Sequence, residues 1–103
     1  KEQKFLPLLI PILNGGTGLT KRDTTVEVLE KLLEKKLDGF GELFRALGFQ
    51  QIGSAAMLSR ATAGVYQGKA IFSLPGAEDA ARLAMERIIL PELGHIVYLI
   101  GQV

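Results

Sequence analysis

Three compositionally distinct stretches follow one another at the start of the chain and leave few folds open. Residues 5–13 are apolar at every position, residues 14–23 are rich in glycine and threonine, and an amphipathic repeat begins at Val26. A continuously apolar strand needs cover on both faces, which is the condition of a strand inside a parallel sheet. Pro7 and Pro11 interrupt the run, so the strand is predicted over 8–13, with Pro7 at its entrance and Pro11 where the ladder asks for no N–H. Thr24 and Glu27 have capping-box spacing, Thr24 as N-cap and Glu27 three residues on. Val26, Leu29, Leu32, Leu33 and Leu37 then recur at helical spacing opposite Glu27, Glu30, Lys31, Glu34 and Lys35, and Gly39 is the expected stop.

Further along, Leu43, Phe44 and Leu47 share one face of a second helix expected over 41–47, with Gly48 ending it. Residues 51–59 fit a loop or a short helix equally. Residues 61–66 and 69–74 flank Gln67-Gly68 and are predicted to form a hairpin. Pro75-Gly76 leads into a third helix over 77–90, which carries Glu78/Arg82 and Arg82/Glu86 pairs and an apolar face of Leu83, Ala84, Ile88 and Leu90. Pro91 is expected to stop it. Residues 96–100 suit a last strand or a helical turn. With 103 residues and 48% hydrophobic composition, a single domain over 1–103 is expected.

Twelve basic residues stand against eleven acidic ones, a formal net charge of +1, so nucleic acid is not an expected partner and any phosphate chemistry must be local. The absence of cysteine removes disulfides, thiolate metal sites and cysteine nucleophiles, and it suits a reducing cytoplasm. The lone His95 reads as a structural or surface residue, and Phe40, Phe44 and Phe49 read as core. The apolar run is far shorter than the ~20 residues that span a bilayer, and no cleavage site follows it. A soluble, cytoplasmic protein with no membrane contact is expected.

A glycine-rich turn between a buried strand and a helix presents unpaired N–H groups and a positive helix end to an anion. Asn14-Gly15-Gly16-Thr17-Gly18 has that context, and Thr17 and Thr20 add hydroxyl donors. The spacing is neither that of a Walker A loop nor that of the dinucleotide fingerprint. From composition alone, a ligand-free tight turn and an anion site stand level. Lys21 and Arg22 can neutralise phosphate and Asp23 can hold Mg²⁺, or Asp23 simply supports the helix N-terminus. Gly76 directly precedes the third helix, a second strand-to-helix crossing of the kind that opens toward ligands at the carboxyl edge of a sheet.

Taken together, residues 15–25 (Gly-Gly-Thr-Gly-Leu-Thr-Lys-Arg-Asp-Thr-Thr), 39–45 (Gly-Phe-Gly-Glu-Leu-Phe-Arg), 56–64 (Ala-Met-Leu-Ser-Arg-Ala-Thr-Ala-Gly) and 74–76 (Leu-Pro-Gly) resemble the ordered signature of the MoaB/MogA family of molybdenum cofactor biosynthesis proteins. The resemblance covers residues 8–93 and extends to the equivalent domain of gephyrin. It implies an α/β fold, three-layer αβα with a mostly parallel sheet, assembled as a homotrimer or hexamer. It also implies molybdopterin binding and, in active members, transfer of AMP from Mg-ATP to the molybdopterin phosphate. Carried over by motif, Gly15, Gly16, Thr17 and Gly18 line the pterin and phosphate site, and Asp23 is the catalytic or Mg²⁺-linked residue. Ser59, Pro75 and Gly76 form the opposite wall, with Glu42 and Arg45 as secondary candidates.

The pattern departs from the family in three ways. A leading βαβ portion with a further acidic residue has no counterpart, so the chain is expected to be the C-terminal portion of the family domain. Leu13-Asn14 replaces the usual Thr-Thr before the glycines. Glu78 and Asp79 follow Leu-Pro-Gly, where they repel phosphate unless they point away. An adenylyltransferase, a molybdopterin-binding or oligomer-forming module without turnover, and a CinA-like or MoeA-like relative are the three resulting expectations.

Overall fold

The computed structural model describes residues 10–102. A short strand β1 (Ile12–Asn14) is followed by helix α1 (Thr25–Leu32), strand β2 (Lys35–Lys36) and helix α2 (Asp38–Ile52). A 3₁₀ segment (Gly53–Leu58) leads to strands β3 (Thr62–Tyr66) and β4 (Lys69–Leu74). Helix α3 (Glu78–Ala84) then runs through a wider π-helical turn (Met85–Ile89) into α4 (Leu90–Ile100). The four strands lie in the order β1-β4-β3-β2.

Alternation along β4 divides the molecule into three layers. Ala70, Phe72 and Leu74 face α2, α3 and the π-helical turn, in a core shared with Phe40, Phe44 and Leu83. Ile71 points the other way, where α1 covers it with Leu29 beside Leu13. The αβα fold therefore stands, and its sheet is mixed. Among the described residues β1 pairs with β4 in parallel, whereas β4/β3 and β3/β2 are antiparallel, because the hairpin forces its own two strands to run in opposite directions. Gln67 (φ 49°) and Gly68 (φ 76°) both adopt the left-handed conformation that a two-residue hairpin turn requires.

Several sequence expectations are corrected. Leu8 and Leu9 of the predicted first strand lie outside the described residues. Pro11 takes part through its carbonyl, which accepts the Phe72 N–H at 3.0 Å, so its missing donor costs nothing. Helix α1 does not reach Leu37. Leu33 turns extended at φ −66°, ψ 126°, and Glu34 and Leu37 donate to Val65 and Ala63, so β3 captures the segment as an edge strand. Gly64 makes that close approach possible, since a Cβ there would overlap the Lys35 carbonyl.

The capping box does not form: Thr24 sits at the N-cap without a side-chain bond, and Glu27 is engaged elsewhere. Helix α2 passes through Gly48, which is buried with a Cβ position 3.4 Å from Ala56, and it stops instead at Gly53 (φ 71°). Gly48 therefore does not terminate the helix, and a Cβ there would make only an ordinary contact with Ala56. Residues 53–58 adopt the short helix that sequence left undecided. Pro91 does not end its helix either. The wide turn before it, where the Leu90 N–H reaches the Met85 carbonyl, takes up the missing donor and the ring's bulk, and helix continues through residues 96–100. Phe40 and Phe44 are core as expected, but Phe49 is 61% exposed. Among the described residues no helix is long and apolar enough to cross a membrane.

Candidate functional site

The β1–α1 loop leaves the sheet beside the end of β4. Gly15 donates its N–H to the Leu74 carbonyl at 2.7 Å, and Gly15 and Gly16 both have positive φ, at 98° and 75°. Only glycine adopts this pair of conformations without strain. Gly16 also lies so close to α1 that a Cβ would overlap Thr25 Oγ1, and its carbonyl accepts the Thr25 N–H at 3.1 Å. Thr17 is buried. Among the described residues the N–H groups of Gly16 and Thr17 have no protein acceptor, so they are available to an anion.

The second half of the loop closes on Asp23. Its Oδ2 accepts the Thr20 N–H at 2.9 Å and the Thr20 hydroxyl at 2.7 Å, while its own N–H donates to the Thr20 carbonyl at 3.0 Å. The Thr20 hydroxyl and N–H, then the Gly18 backbone and the Arg60 charge, hold the Asp23 carboxyl below its ordinary value of 3.8. A depressed carboxylate stabilises the fold above its unfolded pKa and loses that contribution as pH falls through the folded one, so the carboxylate's hold on this turn is present at neutral pH and should weaken in acid.

Arg60, at the entrance to β3, pins the loop from outside. Its Nε donates to the Gly18 carbonyl at 2.9 Å, its Nη2 to the Asp23 carbonyl at 2.9 Å, and its Nη1 to Glu27 at 2.5 Å. Its backbone N–H donates to the Thr17 carbonyl at 2.9 Å. This pairing is why Glu27 forms no capping box, and it holds the Glu27 carboxyl below its ordinary value. Arg45 of α2 secures the segment behind, donating from Nη1 to the Ser59 carbonyl at 3.2 Å and the Ala61 carbonyl at 3.0 Å. Gly41 leaves room for this guanidinium, since a Cβ there would stand 2.5 Å from Arg45 Nη2.

The Leu74-Pro75-Gly76 turn completes the arrangement. Because β1 and β4 are parallel neighbours, their carboxyl ends open side by side, and the Cβ position of Gly76 lies 3.6 Å from Gly15 Cα. Gly15 to Gly18, Asp23 and Gly76 thus come together. Ser59 and Pro75 instead share an apolar cavity of about 270 Å³ beside them, lined also by Phe44, Ala56 and Leu83. Glu42 is exposed on α2, away from any hydrogen bond among the described residues, whereas Arg45 acts through the Ser59 backbone. Glu78 points along its helix to Arg82 at 3.6 Å, which draws its charge away from the loops. His95 is a surface residue 3.2 Å from Glu92.

The family described as "Probable molybdopterin binding domain" matches residues 10–95. The chain belongs to this family. Molybdenum cofactor biosynthesis protein B of Halalkalibacterium halodurans is 61% identical over 87 residues, covering 84% of this chain and 51% of the relative. The protein of the same name from Bacillus subtilis is 55% identical over 87 residues, with the same shares of 84% and 51%. A crystal structure of a molybdenum cofactor biosynthesis protein B matches with a TM-score of 0.83 at 54% identity, over 86% of this chain and 56% of that one. The tungsten cofactor synthesizing protein MoaB from Pyrococcus furiosus matches with a TM-score of 0.82 at 41% identity, over 88% of this chain and 58% of that one. The chain spans about half the length of the curated relatives it matches.

Sequence reasoning read Thr20 as a hydroxyl donor and Glu27 as a capping residue, and it weighed Leu58-Ser59-Arg60 only as a weak segment near the site; it did not foresee that Arg60 joins Gly18, Asp23 and Glu27. Arg60 had one signal, a cation set between Ser59 and Ala61 with no acid nearby in sequence.

Proposed function

We propose that this chain is the molybdopterin-binding unit of a molybdenum cofactor biosynthesis protein, holding the pterin phosphate on residues 15–18 and the facing Pro75-Gly76 turn. The reaction proposed for the protein is adenylyl transfer: a molybdopterin phosphate oxygen bonds to the α-phosphorus of ATP and pyrophosphate leaves. The observation that carries this reading is the convergence of two glycine turns at the carboxyl ends of parallel neighbours, Gly76 against Gly15, with two N–H groups between strand and helix that have no acceptor among the described residues. Ser59 and Pro75 then form the apolar side of the site, where a planar ring system has cover.

Asp23 fits a Mg²⁺ role through Oδ1, which accepts no hydrogen bond among the described residues while Oδ2 is held by Thr20. A Mg²⁺ ion of this kind is usually held by one or two carboxylates together with substrate phosphates. Mg²⁺ held there by Asp23 would neutralise charge on the ATP phosphates during adenylyl transfer. The loop N–H groups orient the pterin phosphate.

Asp23→Asn keeps an oxygen for Thr20 and removes the charge. It should bind molybdopterin within about twofold of wild type yet transfer AMP more than about tenfold more slowly, each tenfold being ~1.4 kcal/mol of barrier. Anaerobic binding titration and a pyrophosphate-release assay read the two quantities. Unchanged turnover in Asp23→Asn removes Asp23 from catalysis. Tight binding by the wild type without turnover favours the second reading, a binding module, which the lone loop carboxylate also supports.

The same reading makes the protein a cytoplasmic homotrimer or hexamer. Leu90, Tyr98 and Leu99 are exposed on α4, and Leu13, Val28 and Leu32 are exposed along the β1 edge, apolar surface of the kind that oligomerisation covers. Light scattering should give a mass several times the 11.2 kDa of the chain. A stable monomer at micromolar concentration sinks the assembly.

A further inference from the structure

Arg60 has five N–H donors in a rigid fork. Four bonds use four of them: Nε to the Gly18 carbonyl, Nη2 to the Asp23 carbonyl, and Nη1 and Nη2 to the two Glu27 oxygens, the last at 3.4 Å. Little of this cation is left for a ligand. Its bonds instead span both ends of the 18–23 turn and the first turn of α1, three points that the backbone alone leaves unconnected. The Arg60 N–H adds a fourth tie, to Thr17, the residue whose own N–H has no acceptor among the described residues.

The fork is itself held. Arg45 grips the carbonyls on either side of Arg60, those of Ser59 and Ala61, and Gly41 provides the space for Arg45. The blocks at 39–45, 56–64 and 15–25 are thereby one physical device, running from α2 through β3's entrance to the glycine loop. We infer that Arg60 is the positioning residue of the phosphate loop: it contacts no ligand, and it sets the curvature that aims the Gly16 and Thr17 N–H groups at one anion. This inference rests on the proposed site, and it identifies which side chain gives that site its shape.

Lysine keeps the charge at position 60 but lacks the planar fork, so it cannot bridge Gly18, Asp23 and Glu27 together. Glutamine at position 27 still accepts from Arg60 and leaves both loop carbonyls bonded. In the full chain, Arg60→Lys should lose molybdopterin affinity by about tenfold with little change in melting temperature. Amide exchange at Thr20 and Asp23 should quicken by a similar factor, while β3 and β4 stay protected. Glu27→Gln should lose less affinity than Arg60→Lys does, since both loop carbonyls stay bonded.

Two readouts separate failure of the clamp from failure of the site. Unchanged exchange at Thr20 and Asp23 in Arg60→Lys overturns the positioning role whether or not molybdopterin binds. Faster exchange with undiminished affinity also overturns it, since the loop's shape would then be irrelevant to the ligand. A wild-type chain that binds no molybdopterin refutes the proposed function, and the exchange comparison still decides whether Arg60 shapes the loop.

Discussion

Gly16→Ala should cost about 2–5 kcal/mol of stability and weaken molybdopterin binding by roughly 100-fold. Two independent effects add. At φ 75° an alanine pays the left-handed penalty of about 1–2 kcal/mol. Its Cβ would also overlap Thr25 Oγ1 and stand 2.9 Å from Thr25 Cβ and 3.3 Å from Thr25 N. Two of those atoms belong to the rigid start of α1, so relief requires the loop and helix to separate, a strain of about 1–3 kcal/mol. Separation breaks the bond from the Thr25 N–H to the Gly16 carbonyl and turns the Gly16 and Thr17 N–H groups away from their common target. Losing one or two hydrogen bonds to a charged phosphate, about 1.5–3 kcal/mol each, is enough for a roughly 100-fold loss of affinity. Gly15→Ala is the control: its Cβ position has nothing within 4 Å, so it should pay the conformational penalty alone. Urea denaturation and anaerobic binding titration test the pair, and equal losses in both variants would show that backbone strain, not the contact with Thr25, governs the loop.

The contrast between these glycines marks how far sequence reasoning reached. Glycine at 15 and 16, a following helix and a partner turn at Pro75-Gly76 were readable because they depend on local backbone chemistry, and the structure places them together. The capping box was read from the same kind of local spacing and does not form, because Arg60, 33 residues away, offers Glu27 a full positive charge in place of one backbone N–H. Gly48 and Pro91 show the same limit. Each is a strong local stop signal, yet α2 runs on through Gly48 to Ile52, and the turn at Met85–Ile89 accommodates Pro91. Leu33 and Leu37 fitted the helical period but went to the sheet, since β3 otherwise has an unpaired edge. Local rules found the elements and the glycine loop. The side chain that holds the loop in shape depends on contacts between distant segments, and periodicity carries no trace of those.

Phe72→Ala should destabilise the fold by about 3–5 kcal/mol, a lowering of the melting temperature by roughly 15–30 °C for a domain of this size. Phe72 is 1% exposed and lies at the centre of the sheet, in register with Ile12 of β1 and Ala63 of β3. Its ring meets Phe40 edge-on at 5.1 Å, and Phe40 stacks on Phe44 at 6.1 Å, so the three rings tie β4 to α2. Ala61, Ala63 and Ala70 beside it are too small to fill the space it leaves. Phe49 supplies the comparison. Five residues beyond Phe44 on the same helix, it is turned about 140° from that face, which is why it is exposed although sequence grouped it with the core. Phe49→Ala should change stability by no more than about 0.5 kcal/mol. Because Phe72 anchors the strand whose carboxyl end carries Leu74, the acceptor for Gly15, its loss should also loosen the glycine loop before the chain unfolds globally. Exchange of the Gly15 amide in Phe72→Ala, measured well below the melting temperature, should therefore quicken more than exchange within α4. Equal acceleration in both would mean that the sheet centre and the glycine loop are not mechanically linked.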